Sequence, residues 1–194
     1  MSSRGAMSDS DGAGVTRVTG FAPVVGERAR VLVLGSMPGV ASLDAHEYYA
    51  MPRNAFWPIM GRLFDAGFER PYAQRLDRLQ TAGVALWDVL ASCVRPGSLD
   101  AAIDVRSAAV NDFGRLFSDQ PTIERVFFNG KAAAAIYRRH VLPALDEAAQ
   151  GRELRVLPST SPAHAALSFD EKLRSWSVVR DAVGLAECDD PAAG

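Results

Sequence analysis

Four short apolar runs are spaced widely along the chain. They are Val31–Leu34, Val84–Trp87, Val126–Phe128 and Leu154–Leu157. Each is rich in Val, Leu or Phe and ends at a loop signal, and Arg155 is the one polar residue inside the fourth. Runs that stay apolar at successive positions suit strands that are buried on both faces. The pattern therefore predicts four strands in the interior of the protein.

Segments with helical periodicity alternate with these runs. The segments are Asn54–Phe64, Tyr72–Thr81, Asn111–Ser118, Lys131–Val141 and Phe169–Leu185. Ser168 and Glu171 form an S-x-x-E capping box at the start of the last one. Strands that alternate with helices imply a parallel sheet with helices on both faces. We therefore predict a three-layer α/β fold around a central, four-stranded, mainly parallel sheet.

The two ends of the chain have a different composition from its middle. Residues 1–14 are small and polar, which predicts a disordered N-terminal tail. Residues 187–194 predict a flexible C-terminal tail for the same reason. The stretch between them, 15–186, is long enough for one domain with a sizeable core.

Composition narrows the classes of function. The net charge of −2 gives no global basic field, so binding to nucleic acid would need a local basic face. Cys93 and Cys188 are far apart and form no CxxC motif, which argues against a zinc site, an iron–sulfur cluster or a disulfide scaffold. No apolar run approaches the roughly 20 residues of a membrane span, and no signal peptide is visible. We expect a cytoplasmic protein.

The loops that follow the predicted strands share an unusual composition. They are Gly35–Gly39, Asp88, Asn129–Lys131 and Pro158–Pro162. In open α/β sheets, ligands bind outside the carboxyl ends of the strands. Four strand ends rich in Gly, Ser, Pro and Asn would converge on one rim, which predicts a binding site there.

Small residues on this rim suit phosphate binding. Ser36, Gly39 and Ser42 follow the first strand, and Ser159 and Ser161 follow the fourth. Such residues let backbone N–H groups approach a phosphate, and hydroxyls add donors. The first loop matches neither a Walker A loop nor GxGxxG, so an ordinary tight turn remains the alternative.

Other catalytic arrangements find little support. Ser161 and His164 are close in sequence, but no GxSxG elbow surrounds any serine. His46, His140 and His164 are too scattered to indicate a metal site. Cys93 lacks a histidine partner and is best interpreted as a buried structural thiol.

Aromatic residues crowd the segment after the first loop. Phe56 and Trp57, at the start of a helix, are typical of a core. Tyr48 and Tyr49 are adjacent in a loop, so one can face the core while the other faces the cleft. A ring on the cleft floor could stack on a nucleobase.

Two asparagines have a structural and a functional interpretation. Asn54 precedes an apolar helical run, and its position alone favours a helix N-cap. Asn129 precedes Gly130 and fits a cap or a turn equally well.

Longer motifs carry a resemblance to a known family. They are Gly35-Ser-Met-Pro-Gly39, Tyr48-Tyr-Ala-Met-Pro-Arg-Asn-Ala-Phe-Trp57, Gly83–Cys93, Phe127–Lys131 and Leu157–Ala163. In this order and spacing they resemble the uracil-DNA glycosylase superfamily, and most closely its hypoxanthine-DNA glycosylase branch. The resemblance runs from about Val31 to Trp176 and implies the α/β fold of that superfamily.

The resemblance implies roles for particular residues. The asparagine of the Pro-Arg-Asn-x-Phe-Trp stretch is implicated in catalysis in that branch, and it corresponds to Asn54. Tyr49 matches the aromatic residue that stacks on the target base, and Met37, Asp88 and Asn129 would line the base pocket. Met37 stands where the mismatch-specific branch has asparagine.

The same resemblance implies a DNA-binding rim. Its residues would be Gly35, Ser36, Pro38, Gly39, Ser42, Ser159, Ser161, Pro162 and His164. Relatives push a wedge into DNA after the last motif, where Leu167 could insert or belong to the core. Arg53, Lys172 and Arg174 could form a local basic face or simply be solvated.

The implied reaction is hydrolysis of the N-glycosidic bond between a deaminated base and deoxyribose. It needs no metal, no cofactor and no covalent lysine, so Lys131 is not expected to be a nucleophile. The partner would be DNA that contains deaminated bases, bound by a monomer. Leu157 occupies a position where many relatives have histidine, so both usual polar catalytic positions are apolar. Two alternatives therefore stay open: a DNA glycosylase that acts mainly on uracil or on G/U mismatches, and a non-catalytic nucleotide- or DNA-binding α/β module.

Overall fold

The computed structural model describes residues 17–184, so the predicted tails at 1–14 and 187–194 lie outside the described residues. The strands are β1 Arg17–Thr19, β2 Val31–Gly35, β3 Val84–Asp88, β4 Leu90–Val94, β5 Asp104–Val110, β6 Arg125–Asn129 and β7 Glu153–Leu157. The helices are α1 Val40–Ala45, α2 Phe56–Phe64, α3 Tyr72–Thr81, α4 Phe113–Asp119, α5 Lys131–Ile136, α6 Glu147–Gln150 and α7 Phe169–Ala182. A π-helical turn, Tyr137–Val141, continues α5, and short 3₁₀ turns occupy Asp100–Ala102 and Leu142–Ala144.

The central sheet has four parallel strands in the order β3-β2-β6-β7. Every residue of β2 and β3 is buried, which is why these segments are apolar up to the residue that ends each strand, Gly35 in β2 and Asp88 in β3. β7 lies at an edge, where Arg155 and Glu153 alternate with more buried residues. The observed strands differ from the predicted ones by at most one residue at either end, so the sequence prediction of this sheet is confirmed.

Helices cover both faces of this sheet. Leu32 and Leu34 face a core cluster that includes side chains of α4 and α5, whereas Val31 and Val33 face a second cluster with α2, α3 and α7. Successive residues of β2 therefore contact opposite layers, as the period of a strand requires. The predicted three-layer α/β architecture is confirmed.

A second, antiparallel sheet was not predicted. Its order is β1-β4-β5, and β4 begins after a single residue, Val89, beyond the end of β3. Its core cluster is small and consists of Met37, Leu90, Cys93 and Ile103. The loop between β4 and β5 lies beside the carboxyl ends of the parallel strands, which makes this sheet relevant to the site.

Helix ends follow the sequence signals closely. The capping box at Ser168 and Glu171 is present, with both reciprocal bonds formed. α4 begins after Asp112, whose carboxylate accepts a hydrogen bond from the backbone N–H of Arg115. This places its start two residues after Asn111, the predicted first residue. None of the helices within residues 17–184 is long and apolar enough to cross a membrane.

Candidate active site

The carboxyl ends of β2, β3 and β6 and the loop after β7 enclose a cavity of about 150 Å³. Gly35 pairs with Asp88 across β2 and β3, and Asn129 pairs with Leu157 across β6 and β7, so the parallel register brings these ends level. Pockets that hold drug-sized ligands measure roughly 300 Å³ or more. This cavity therefore has room for one small group rather than a whole nucleotide.

The structure brings the predicted site residues together almost completely. Those that line the cavity are Gly35, Ser36, Met37, Pro38, Gly39, Ser42, Tyr49, Asn54, Asp88, Asn129, Ser159, Ser161 and Pro162. His164 lines an adjoining groove of about 650 Å³ instead, together with Lys131 and Leu167. The groove and the cavity share residues of both walls and form one continuous cleft.

Tyr49 lies on the floor of the cavity in a left-handed backbone conformation, with φ of 56°. Its ring stacks on Phe56 with centroids 3.9 Å apart and an interplanar angle of 22°. Burial, and next the neighbouring Asp88, raise the pKa of its hydroxyl, so Tyr49 is neutral. A residue other than glycine adopts this left-handed conformation at a cost in free energy, and such strained residues cluster at functional sites.

The adjacent tyrosine is a core residue. Tyr48 is 3% exposed, and its hydroxyl donates to the carbonyl oxygen of Ala22 at 3.2 Å. Its own carbonyl accepts from the indole nitrogen of Trp57 at 2.8 Å. These bonds fix the backbone from which Tyr49 projects.

Asn54 is not the N-cap of α2 that its sequence position predicted, although its side chain lies next to the start of that helix. Its side-chain oxygen accepts from the backbone N–H of Phe56 at 3.0 Å, which supports the first turn of α2. The N-cap of α2 is Ala55, whose methyl side chain forms no capping hydrogen bond. Within the described chain, the Asn54 amide nitrogen has no hydrogen-bond partner, so its two N–H groups remain for a ligand or water.

Asn129, at the end of β6, binds the loop that follows β7 through two hydrogen bonds. Its amide nitrogen donates to the hydroxyl of Thr160 at 2.8 Å, and its amide oxygen accepts from the backbone N–H of Thr160 at 2.8 Å. The carbonyl of Thr160, a residue that is 1% exposed, in turn accepts from the N–H of Ala55 at 2.9 Å. Sequence reasoning did not select Thr160, because only its middle position in Ser-Thr-Ser hinted at a role.

Serine hydroxyls on the rim also shape the loops. Ser36 donates to the carboxylate of Asp100, and Ser42 accepts from the N–H of Ala50 at 3.2 Å. Ser159 accepts from the N–H of Ser161 at 3.2 Å. Because hydroxyls that accept retain their own hydrogen, Ser42 and Ser159 remain potential donors to a phosphate.

Arg95 is a buried cation that sequence reasoning missed. Its side chain donates to the carbonyl oxygens of Gly97 at 2.9 Å and Met37 at 3.5 Å, and also to that of Pro38. These contacts hold the Gly35–Gly39 loop from below. The Met37 side chain is 6% exposed and packs in the small second core. No local sequence signal marks Arg95, because its contacts are with backbone groups of a loop 57 and 58 positions away and of a close neighbour.

Asp88 ends β3 and is 3% exposed. One of its carboxylate oxygens, Oδ2, is buried without a partner in the part of the chain that the structure describes. Burial, and next the negative charge of Asp100, raise the pKa of Asp88 to about 7, while Arg95 opposes the change. Gly35 makes room for this carboxyl, because a Cβ at position 35 would overlap with Oδ1.

The outer wall of the cavity comes from the loop between β4 and β5. The Ser98 hydroxyl accepts from the N–H of Val40 at 2.9 Å, and Asp100 is held by Ser36. Leu99 lies between these two tethers and is 61% exposed. Leu167 is half-buried and lines the groove. Sequence reasoning considered only Leu167 as a wedge, because the β4–β5 loop had no recognised structure.

One expectation about the basic face is wrong. Lys172 is 6% exposed, and its ammonium group donates to the carbonyl oxygen of His164 at 2.8 Å, so it holds a loop and does not face solvent. Arg53 and Arg174 are exposed, as expected for that face. Among residues 17–184, no three His, Cys, Asp or Glu side chains cluster as a metal site requires.

Comparison with known proteins agrees with this geometry. The model of the uracil DNA glycosylase superfamily matches residues 22–180. Two relatives are each named hypoxanthine DNA glycosylase. The relative from Methanosarcina barkeri is 34% identical over 81% of this chain and 94% of its own length. The relative from Methanosarcina acetivorans is 32% identical over 82% of this chain and 96% of its own length.

A solved structure is similar over nearly the same region. It is the solution NMR structure of a candidate uracil DNA glycosylase from Methanosarcina acetivorans, with a TM-score of 0.71 and 29% identity. It covers 87% of this chain and 99% of the solved chain. The family match spans both the parallel sheet and the cavity at its carboxyl edge. The chain therefore belongs to the uracil DNA glycosylase superfamily.

Proposed function

We propose that this protein is a monofunctional DNA glycosylase that releases deaminated bases, hypoxanthine first among them. The observation that carries the proposal is the base-sized cavity at the strand ends, with Tyr49 on its floor and the Asn54 amide on its wall. The names of the two relatives support hypoxanthine as the base.

The reaction would begin with extrusion of the target base from the helical stack. Extrusion costs a few kcal/mol and costs least at a mismatch or lesion. The flipped base would pack against Tyr49, whose ring is braced from behind by Phe56. Because Tyr49 is fixed by stacking, it offers the base a rigid aromatic surface.

Asn54 would act on the reacting groups through its amide nitrogen. Cleavage of the glycosidic bond places positive charge on the sugar and negative charge on the base. An amide cannot deprotonate water, so Asn54 would position the water or donate to the base. Loss of one preorganised donor of this kind typically costs about 3–4 kcal/mol.

Phosphates next to the flipped nucleotide would contact the two rim loops. The first contributes Gly35, Ser36, Pro38, Gly39 and Ser42, and the second contributes Ser159, Ser161, Pro162 and His164. Backbone N–H groups and hydroxyls are the donors that such loops offer. Lys131 lies in the groove outside the cavity, which supports hydrolysis by water without a lysine nucleophile.

We further propose that residues 15–186 form one domain that works as a monomer in the cytoplasm. A glycosylase must leave one face open to DNA, and the groove beside the cavity supplies such a face. Size-exclusion chromatography with light scattering would test the monomer at the concentration used for the activity assays.

The decisive experiment is single-turnover cleavage of oligonucleotides that contain one deoxyinosine or one deoxyuridine, in single and double strands. The wild-type protein should create alkali-labile sites at deoxyinosine. Asn54→Ala should cleave about 10²–10³-fold more slowly. Asn54→Ser is the matched control, because a serine hydroxyl can still accept from the Phe56 N–H but lacks the amide donor.

Each outcome separates one alternative from the others. Equal losses in Asn54→Ala and Asn54→Ser, with only Asn54→Ala less stable, would support the role of the amide in catalysis. Full activity in both variants would leave Asn54 with only the structural role of accepting from the Phe56 N–H. Release of uracil alone would contradict the assignment of the base. DNA binding without any base release would favour a non-catalytic module.

A further inference from the structure

Asp88 occupies an unusual place for a carboxyl group. It lies at the end of β3, opposite Gly35 in the register, and its side chain is almost completely buried. Substitution of Gly35 by any larger residue would collide with it. The strand ends are therefore built to admit this carboxyl to the wall of the cavity.

Two polar atoms that lie near each other in the cavity have no hydrogen-bond partner by geometry among the described residues. They are Asp88 Oδ2 and the Tyr49 hydroxyl oxygen, and both are buried. Native proteins leave few buried polar groups unpaired. The Tyr49 hydroxyl interacts with the nearby Asn129 side chain, so the unpaired carboxyl oxygen of Asp88 is the atom that indicates a ligand edge in this cavity.

Among residues 17–184, the charged side chains around Asp88 do not form an ion pair with it. Asp100 approaches from the β4–β5 loop and is itself bound by Ser36. Arg95, on the other side, donates to backbone carbonyls of the two flanking loops. Tyr48 and Tyr49 are neutral, because burial raises the pKa of each. Burial and Asp100 bring the pKa of Asp88 to about 7, so its neutral form is well populated at neutral pH.

Building on the proposed glycosylase function, we propose that neutral Asp88 is the general acid that protonates a ring nitrogen of the departing purine. As the C1′–N9 bond breaks, its electron pair moves onto the purine. The Asp88 proton passes to N3 or N7 and leaves a carboxylate. Water adds to C1′ and loses a proton, and solvent returns a proton to Asp88.

This role supplies what the rest of the site lacks. The Asn54 amide donates hydrogen bonds but cannot transfer a proton to the leaving base. General acid catalysis by a positioned group typically contributes about 10²–10⁴-fold, and it is most effective when the pKa is near the working pH. Uracil has no free ring nitrogen of this kind, so Asp88 would favour purines.

The test is the pH dependence of single-turnover cleavage of deoxyinosine between pH 5 and 9. The wild-type rate should be flat at low pH and should fall about tenfold per pH unit above an inflection near 7. Asp88→Asn should lose the inflection and be at least about 10²-fold slower at pH 6. The two proteins should converge at high pH, where wild-type Asp88 is ionised.

Two controls make the result specific. Asp100→Asn removes the neighbouring negative charge and should move the inflection to lower pH without abolishing it. Oligonucleotides with 3-deaza- or 7-deaza-deoxyinosine should identify the acceptor, because only one of them should make the wild type as slow as Asp88→Asn. Circular dichroism and DNA binding of Asp88→Asn should match the wild type.

The outcomes distinguish this proposal from the function on which it rests. An active wild type whose pH profile is shared by Asp88→Asn would overturn the role of Asp88 and leave the glycosylase function intact. A wild type that releases no hypoxanthine at any pH would overturn both.

Discussion

The bond pair between Asn129 and Thr160 offers a quantitative test of how the cavity is held together. Asn129→Leu keeps the volume of the side chain but removes both hydrogen bonds, each 2.8 Å long. The backbone N–H and the hydroxyl of Thr160, which is 1% exposed, then lose their partner. An unsatisfied buried group costs about 1–3 kcal/mol, so we expect a loss of about 3 kcal/mol.

Thr160→Val removes only the hydroxyl and is the matched variant. The amide nitrogen of Asn129 borders the cavity and can turn to water there, so the expected loss is about 1 kcal/mol. The double variant should be more stable than the sum of the single effects predicts, by about 1 kcal/mol, because no hydroxyl is left unpaired. Urea denaturation would measure these values, and melting temperature should fall by about 6–12 °C for Asn129→Leu.

The same variants decide what Asn129 does. If Asn129→Leu were as stable as the wild type but inactive, the amide would serve the substrate and the structural reasoning would be refuted. Strictly additive effects in the double variant would refute the direct coupling of the two side chains.

Further predictions concern other parts of the site. Because the pKa of Asp88 is higher in the folded than in the unfolded chain, the free energy of unfolding should fall as pH rises from about 4 to about 7. Asp88→Asn should not show this fall, and by pH 8 its free energy of unfolding in urea titrations should exceed that of the wild type by up to about 4 kcal/mol. Equal pH profiles would contradict the raised pKa. Leu99→Ala should slow cleavage of duplex about tenfold and leave single strands unaffected, since an exposed apolar side chain at the mouth can fill the gap left by the flipped base; equal effects on both substrates would exclude that role. The guanidinium of Arg75 lies 4.6 Å from the centre of the Trp57 ring and 3.1 Å from the Glu47 carboxylate, and it supports the loop before Tyr49. In urea denaturation, Arg75→Leu should lower the free energy of unfolding by about 2 kcal/mol and Glu47→Gln by less than about 1 kcal/mol. The reverse order would show that the ion pair dominates.

The sequence predicted the parallel sheet well because its strands are buried on both faces. Such strands need apolar residues at every position, and this leaves a continuous pattern in the sequence. The antiparallel sheet left no such pattern, because β4 contains Ser92 among half-buried positions and β1 has only three residues. Contacts with distant strands stabilise these segments, and local patterns do not record those contacts.

The location of the site was predictable from topology, but its internal bonds were not. Parallel strands end on one edge, so the residues after each strand had to meet. Thr160 and Arg95 act by bonding to backbone groups of distant loops, and no local motif marks such contacts. At Asn54 the predicted helix cap was wrong by one residue, because the side-chain oxygen accepts from the backbone N–H of Phe56 while Ala55 is the N-cap.

The order of strands in the central sheet has a consequence for how the protein is made. β2 lies between β3 and β6, so the first loop acquires its neighbours from two later parts of the chain. The bonds that close the cavity join residues 64 positions apart at Ser36 and Asp100, and 31 positions apart at Asn129 and Thr160. Such long-range closure is slow compared with local folding. The residues that line the cavity run from Gly35 to Pro162, so every wall is present only in a fragment that includes the loop after β7.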